Sequence, residues 1–256
     1  MPELLGTVRR AFRVLDYLAV AEGPVAIKRI AADLGLNISS AYHLMHTLVA
    51  DGYATRDRSG AFGLGPKAAR MGEAYARSWP VEPRLRTLVQ ELAARTEEIA
   101  YLALLHGDRV VISEIVESRR HVRVHALHRG YWGDLHARAL GKAVLAHLEP
   151  AVVRSHFEAD PPRRLTPRTL VALADIEAEL ERVRRRGYAE DAEEFADGVC
   201  CIAAPFFGRH GVAGSLSVSV PSFRFRSVRA TVREAVQSTA HAATEALGSQ
   251  RSLQLG

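Results

Sequence analysis

The spacing of apolar side chains around "GLN", residues 35 to 37, leaves this chain little local choice. Ile27, Ile30, Ala31 and Leu34 form one stripe of period 3.6, and Ala41, Leu44, Met45 and Leu48 form a second. Gly35 stops the first helix and Asn37 is a good N-cap for the next. Two short amphipathic helices joined by a tight glycine-containing turn predict a helix-turn-helix. Upstream, Val8, Ala11, Phe12, Leu15 and Leu18 predict a helix that packs this stripe onto the pair. Downstream, "YATRDRSGAFGLG" sets two strand-like runs around a "DRSG" tip, which reads as a β-hairpin wing.

"PKAARMGEAYARSW" then predicts a connecting helix with Pro66 in its first turn, and Pro80 and Pro83 break the pattern. Beyond it the periods mix. Residues 84–96 read as a helix, "IAYLALLHGDRVVISEIVE" as two strands around a "GD" turn, and "HVRVHA" as a further period-2 run. "GKAVLAHL" and "DIEAELERVRRRG" read as helices, "CIAAPFFGRHGVAGSLSVSV" as a second hairpin, and 227–247 as a closing helix. Hairpin-joined strands imply an antiparallel sheet with helices packed on it. The expected fold is α+β. A winged helix-turn-helix spans 1–65, a linker helix 66–82, and a ligand-binding and oligomerisation domain 83–250.

At 256 residues and 48% hydrophobic content, the chain can bury a full core. Its longest apolar run, "AYLALL", suits a buried strand and is far too short to span a bilayer. Arg9, Arg10, Arg13 and Asp16 interrupt the N-terminus, so no secretory signal is expected there and the protein should be cytoplasmic, with no membrane partner. Cys200 and Cys201 are adjacent, which suits neither a staple nor a metal site. The formal charge of +5 permits a nucleic-acid partner without requiring one.

Placement of polar groups says more. The outer face of the third helix carries Ser39, Tyr42, His43 and His46, with Ser40 in its first turn. An ordinary solvated face carries Lys and Glu. Serine, tyrosine and histidine suit phosphate contacts and base edges in a major groove. Fixed charge would come from Arg9 and Arg10, from Lys28, and from Arg56 and Arg58 on the wing.

Three later motifs, "LHARALGKAVLAHL" at 135–148, "RGYAEDAEEFADGVCCIAAP" at 186–205 and "SLSVSVP" at 215–221, follow the winged helix in this order. With them the chain resembles the IclR family of bacterial transcriptional regulators from about Thr7 to Leu247. That resemblance implies a GAF-like effector domain, and dimers or tetramers on palindromic double-stranded operators. It implies effector contacts from the backbone amides of Ala139 and Leu140 and from the side chains of Asp191, Cys201, Ser217 and Ser219. Arg138 is a candidate cation in the same turn. The family's helix commonly carries Lys or Arg where this chain has Ile38, His43 and His46, and its loop before "LHA" carries fewer aromatics. The "YWGD" loop here suggests that Tyr131 and Trp132 form an aromatic wall for a ring-bearing acid.

Two other functional classes compete with this one. An enzyme using Cys201 with a histidine and Asp191 lacks a nucleophile elbow, a P-loop or a glycine-rich nucleotide fingerprint. A small-molecule sensor acting through protein partners without DNA is the alternative. No cofactor is expected. His121, His125 and His128 lie close together, but without a Cys or carboxylate placed beside them they are read as ordinary histidines rather than metal ligands.

Overall fold

The computed structural model describes residues 4–78, 81–118 and 127–248. The chain divides into two compact units, 1–80 and 81–256. The strand read at "HVRVHA", together with His121 and His125, lies outside the described residues.

The first unit holds α1 (Gly6–Val20), α2 (Ile27–Asp33), α3 (Ile38–Ala50), β1 (Ala54–Arg56), β2 (Phe62–Leu64) and α4 (Pro66–Ser78). Asn37 caps α3 by accepting from the Ser40 backbone N–H at 2.7 Å. Ile27, Ile30, Ala31, Ala41, Met45 and Leu48 meet Val14 and Leu18 in one core. The wing is a two-stranded antiparallel hairpin with Ala54 opposite Leu64. Its tip is folded around Asp57, whose Oδ1 accepts from the Ser59 and Ala61 backbone amides and the Ser59 hydroxyl.

The stripe expected on α1 is rotated. Val14 and Leu18 are buried, while Val8 and Phe12 are 45% and 58% exposed. At 100° per residue Val8 and Phe12 lie about 120–160° round the helix from Val14, so the apolar surface of α1 is wide and only one side of it enters this core.

The second unit holds α5 (Pro83–Thr96), β3 (Ile99–His106), β4 (Arg109–Val116), α6 (Ala139–Leu145), α7 (Pro150–Ala159), α8 (Leu173–Arg186), β5 (Ala189–Ala192), β6 (Val199–Gly208), β7 (Gly211–Pro221) and α9 (Ser222–Gly248). The strands form one antiparallel sheet in the order β4-β3-β7-β6-β5. Alternation sorts its side chains. Ala100, Leu102, Ile202, Ala204, Leu216 and Val218 pack under α5 and α9. Ile99, Tyr101, Ala103, Cys201 and Ala203 face α6 and α8. The closing helix starts at Ser222, five residues earlier than its periodicity predicts, and α7 and β5 were not read from the sequence at all.

α6 sits unusually close to its own approach loop. A Cβ on Gly141 would lie 2.4 Å from the Leu135 carbonyl oxygen, so only glycine permits this contact.

Candidate effector pocket and DNA-reading helix

Register builds the polar face of the sheet. Ser219 lies opposite Cys201, and Cys201 lies opposite Asp191, so three polar groups form one row across β7, β6 and β5. Ser217 lies two residues from Ser219 and pairs with Tyr101 across β3. Cys201 Sγ and Ser219 Oγ are 3.1 Å apart. Burial, with Asp191 nearby, pushes the Cys201 thiol well above its ordinary value, so it is a packed thiol and not a thiolate. Ser215, next on the same face, donates to the Leu140 carbonyl at 2.9 Å and seats α6 on the sheet.

Between this row and α6 lies a cavity. Tyr101, Leu127, Arg138, Ala139, Leu140, Asp191, Phe195, Ala196, Val199, Cys201, Ser217 and Ser219 line it. The space reaches about 330 Å³ when measured to its mouth, but side chains fill it closely. Free room is left for about one water. A ligand larger than a water must therefore displace side chains as it enters.

Two charged groups dominate the cavity. Arg138 is 2% exposed, and its Nε, Nη1 and Nη2 have no hydrogen-bond partner among the described residues. It lies 4.7 Å from the centre of the Tyr131 ring. Burial lowers its pKa to about 10, which still leaves it charged at neutral pH. Asp191 Oδ1 accepts from the backbone amides of Glu194 at 2.6 Å and Phe195 at 3.2 Å. Burial pushes its carboxyl up to about 7, against the pull of Lys142 and these amides. Lys142 itself donates to Glu194 Oε1 at 2.6 Å. A cation with no acceptor and a carboxyl poised near neutrality give the pocket an excess of positive charge.

In the first unit, Ser39, Tyr42, His43 and His46 are exposed on α3, and Ser40 is half-buried beneath them. Arg9, Arg10, Lys28, Arg56 and Arg58 are also exposed. Arg10 reaches Thr7 Oγ1 at 3.3 Å, and Arg56 leans over the Phe62 ring at 5.5 Å.

The family model for the bacterial transcriptional regulator IclR C-terminal domain matches residues 73–245, and the IclR helix-turn-helix model matches 7–58. The chain belongs to the IclR family. It is a transcriptional regulator with a helix-turn-helix and an effector-binding C-terminal domain, and not an enzyme. An IclR-family relative, the HTH-type transcriptional regulator BhcR of Paracoccus denitrificans, is 36% identical over 86% of this chain and 79% of its own. The crystal structure of Thermotoga maritima IclR superposes with a TM-score of 0.72 at 25% identity, covering 94% of this chain and 98% of that one. An IclR homologue from Microbacterium hydrocarbonoxydans, solved in complex with 4-hydroxybenzoate, superposes at 0.69 with 23% identity, covering 95% and 99%. Among the described residues, no helix is long and apolar enough to cross a membrane.

Against this IclR frame, Arg138, Ala139, Leu140, Asp191, Cys201, Ser217 and Ser219 all line one cavity. Trp132 does not. It is 41% exposed and its ring packs under the Arg109 guanidinium at 4.1 Å. Tyr131 turns inward, though toward Arg138 and not into the cavity lining. The aromatic lining comes from Tyr101 and Phe195, which sequence reasoning missed. Phe195 sits in the quoted "EEFADG" and could have been suspected. Tyr101 is one of several buried strand residues, and nothing local marks it.

Proposed function

We propose that this regulator responds to a small carboxylic acid, ring-bearing in preference to two- or three-carbon acids, and binds a palindromic double-stranded operator as a homodimer or a tetramer built from dimers. The observation that carries the ligand class is Arg138. A buried guanidinium without an acceptor is costly, and a carboxylate meets its fork with two charge-assisted bonds. Asp191 then serves best as a protonated partner or as an acceptor for a ligand hydroxyl, since two charged carboxylates repel. Tyr101, Leu127, Phe195 and Val199 offer the apolar surface on which a ring gains. The 4-hydroxybenzoate complex of the Microbacterium homologue is a precedent for an aromatic acid in this fold.

On the DNA side, the polar face of α3 would enter the major groove, with Ser39, Ser40, Tyr42, His43 and His46 contacting bases and phosphates. Arg9, Arg10, Lys28, Arg56 and Arg58 supply the phosphate neutralisation. A homodimer is supported by apolar faces that the first unit leaves open: Leu5 just before α1, Val8 and Phe12 on α1, and Met71 and Tyr75 on α4, are all exposed.

The test has two arms. A thermal-shift screen should find benzoates raising the melting temperature more than pyruvate or glyoxylate, with the effect lost in Arg138→Met. Footprinting on the region upstream of the gene should reveal an inverted repeat whose occupancy changes with the acid. A protein that binds such acids but protects no DNA would instead be a sensor acting through protein partners.

A further inference from the structure

The Arg138 guanidinium has no hydrogen-bond partner among the described residues, yet it has a packing partner. The N-cap position it occupies on α6 makes no side-chain capping bond. What it does touch is the face of Tyr131, and Tyr131 is fixed in turn. Its hydroxyl donates to Asp134 Oδ2 at 2.5 Å. Asp134 receives a two-pronged pair from Arg163, Nε to Oδ1 and Nη2 to Oδ2, both at 2.7 Å. The backbone of Asp134 is left-handed at φ 54°, a conformation that a non-glycine residue keeps only where its surroundings insist.

Arg163 belongs to a strap, residues 161–169, that also grips the other side of the pocket. His136 Nε2–H donates to the Arg163 carbonyl at 2.9 Å. Thr166 and Thr169 donate to the Glu193 and Glu194 carbonyls at 2.7 and 2.6 Å. That second segment supplies the amides that orient Asp191. Burial and the bond to Asp134 push the Tyr131 phenol up to about 12, so its O–H stays a donor at any working pH.

Resting on the reading of Arg138 as the anion anchor, we propose that Tyr131, Asp134 and Arg163 are positioning residues that aim the Arg138 guanidinium at the effector and so set the preference for charged over neutral ligands. None of the three lines the cavity; they act through Arg138.

The test uses the full chain and two readouts. One is the ratio of benzoate to benzamide affinity, by calorimetry. The other is the rate at which phenylglyoxal modifies Arg138 without ligand, by peptide mass spectrometry. Tyr131→Phe keeps the ring and loses the hydroxyl. Asp134→Asn loses the charge but still tolerates the left-handed backbone. Each should lower the ratio about ten-fold, the worth of one buried charge-assisted bond. Each should also speed labelling of Arg138, with Arg163→Lys intermediate and Trp132→Ala, in the same loop, like wild type. Unchanged ratio and labelling in a folded Tyr131→Phe protein would overturn the proposal. So would equal losses in Trp132→Ala, which would mean general loosening. If wild type shows no preference for benzoate but labelling still rises in the variants, the anion reading falls and the positioning role stands. Should Asp134→Asn fail to fold, Tyr131→Phe and Arg163→Lys decide.

Discussion

Arg138 holds a positive charge away from water with no hydrogen bond among the described residues to compensate it, so its removal should help the empty protein. We expect Arg138→Met to raise unfolding stability by ~1–3 kcal/mol without ligand and to abolish stabilisation by acids. A denaturant titration with and without benzoate measures both, and a variant that is less stable when empty would contradict the assignment. Asp191 supplies a pH signature. Burial raises its carboxyl from the ordinary value to about 7, so the folded chain holds a proton that the unfolded chain releases. Its contribution to stability is complete below the unfolded value near 3.8 and is lost as pH rises through about 7. An arriving anion favours the protonated form further, so ligand affinity should fall as pH rises through about 7 while Arg138 stays charged. Burial lowers His136, His147 and His156, whose contributions run oppositely, present at high pH and lost as pH falls. Melting curves mix these effects. Benzoate affinity at pH 6, 7 and 8, wild type against Asp191→Asn, separates them, and equal slopes would remove Asp191 from the site. Of these two residues, Asp191 was legible through its motif. The isolation of Arg138 was not, because a lack of partners is a property of the surrounding fold.

Among the elements, α6 and α3 carry the sharpest consequences. α6 can lie this close to the Leu135 loop only because position 141 has no side chain. Gly141→Ala should cost ~1–3 kcal/mol by overpacking against Leu135 and push α6 and that loop apart, weakening the acid response together with the melting temperature. Full stability in that variant would mean the loop at Leu135 yields easily. For α3, His43→Ala should cost ~1–3 kcal/mol at a single operator base pair if the imidazole reads a base edge. A gel-shift series over point-mutated operators checks this, and uniform affinity across the series would leave His43 as a solvated residue. The helix itself was plain from its cap at Asn37 and its 3.6 period. α7 and β5 were missed. β5 has only four residues, too few to display alternation, and α7 buries only Val153 and Phe157, too few positions to set a 3.6 period.

For the whole molecule, the open apolar face of α1 matters most. If two copies join through it, Phe12→Ser should leave the melting temperature of each unit nearly unchanged, since Phe12 is outside the core. It should lower operator affinity by roughly 100-fold, because two half-sites would no longer be held together. Sedimentation and gel shifts on one sample test this, and wild-type affinity from a monomeric variant would sink it. The rotation of the α1 stripe shows where reading from sequence stops. Periods of 3.6 and 2, a glycine at Gly35 or Gly187 and a cap at Asn37 act over a few residues, so helices, hairpins and the family motifs are written directly in the chain. Which side of a wide apolar surface meets a core depends on neighbours far along the chain. The same holds for the pocket. Alternation could align Ser217 with Ser219, but strand register put Ser219 opposite Cys201 and Cys201 opposite Asp191. Packing then left Arg138 without an acceptor among the described residues, and contacts over more than twenty positions, Arg163 to Asp134 and Arg109 to Trp132, fix the loop that turns Tyr131 inward and Trp132 outward.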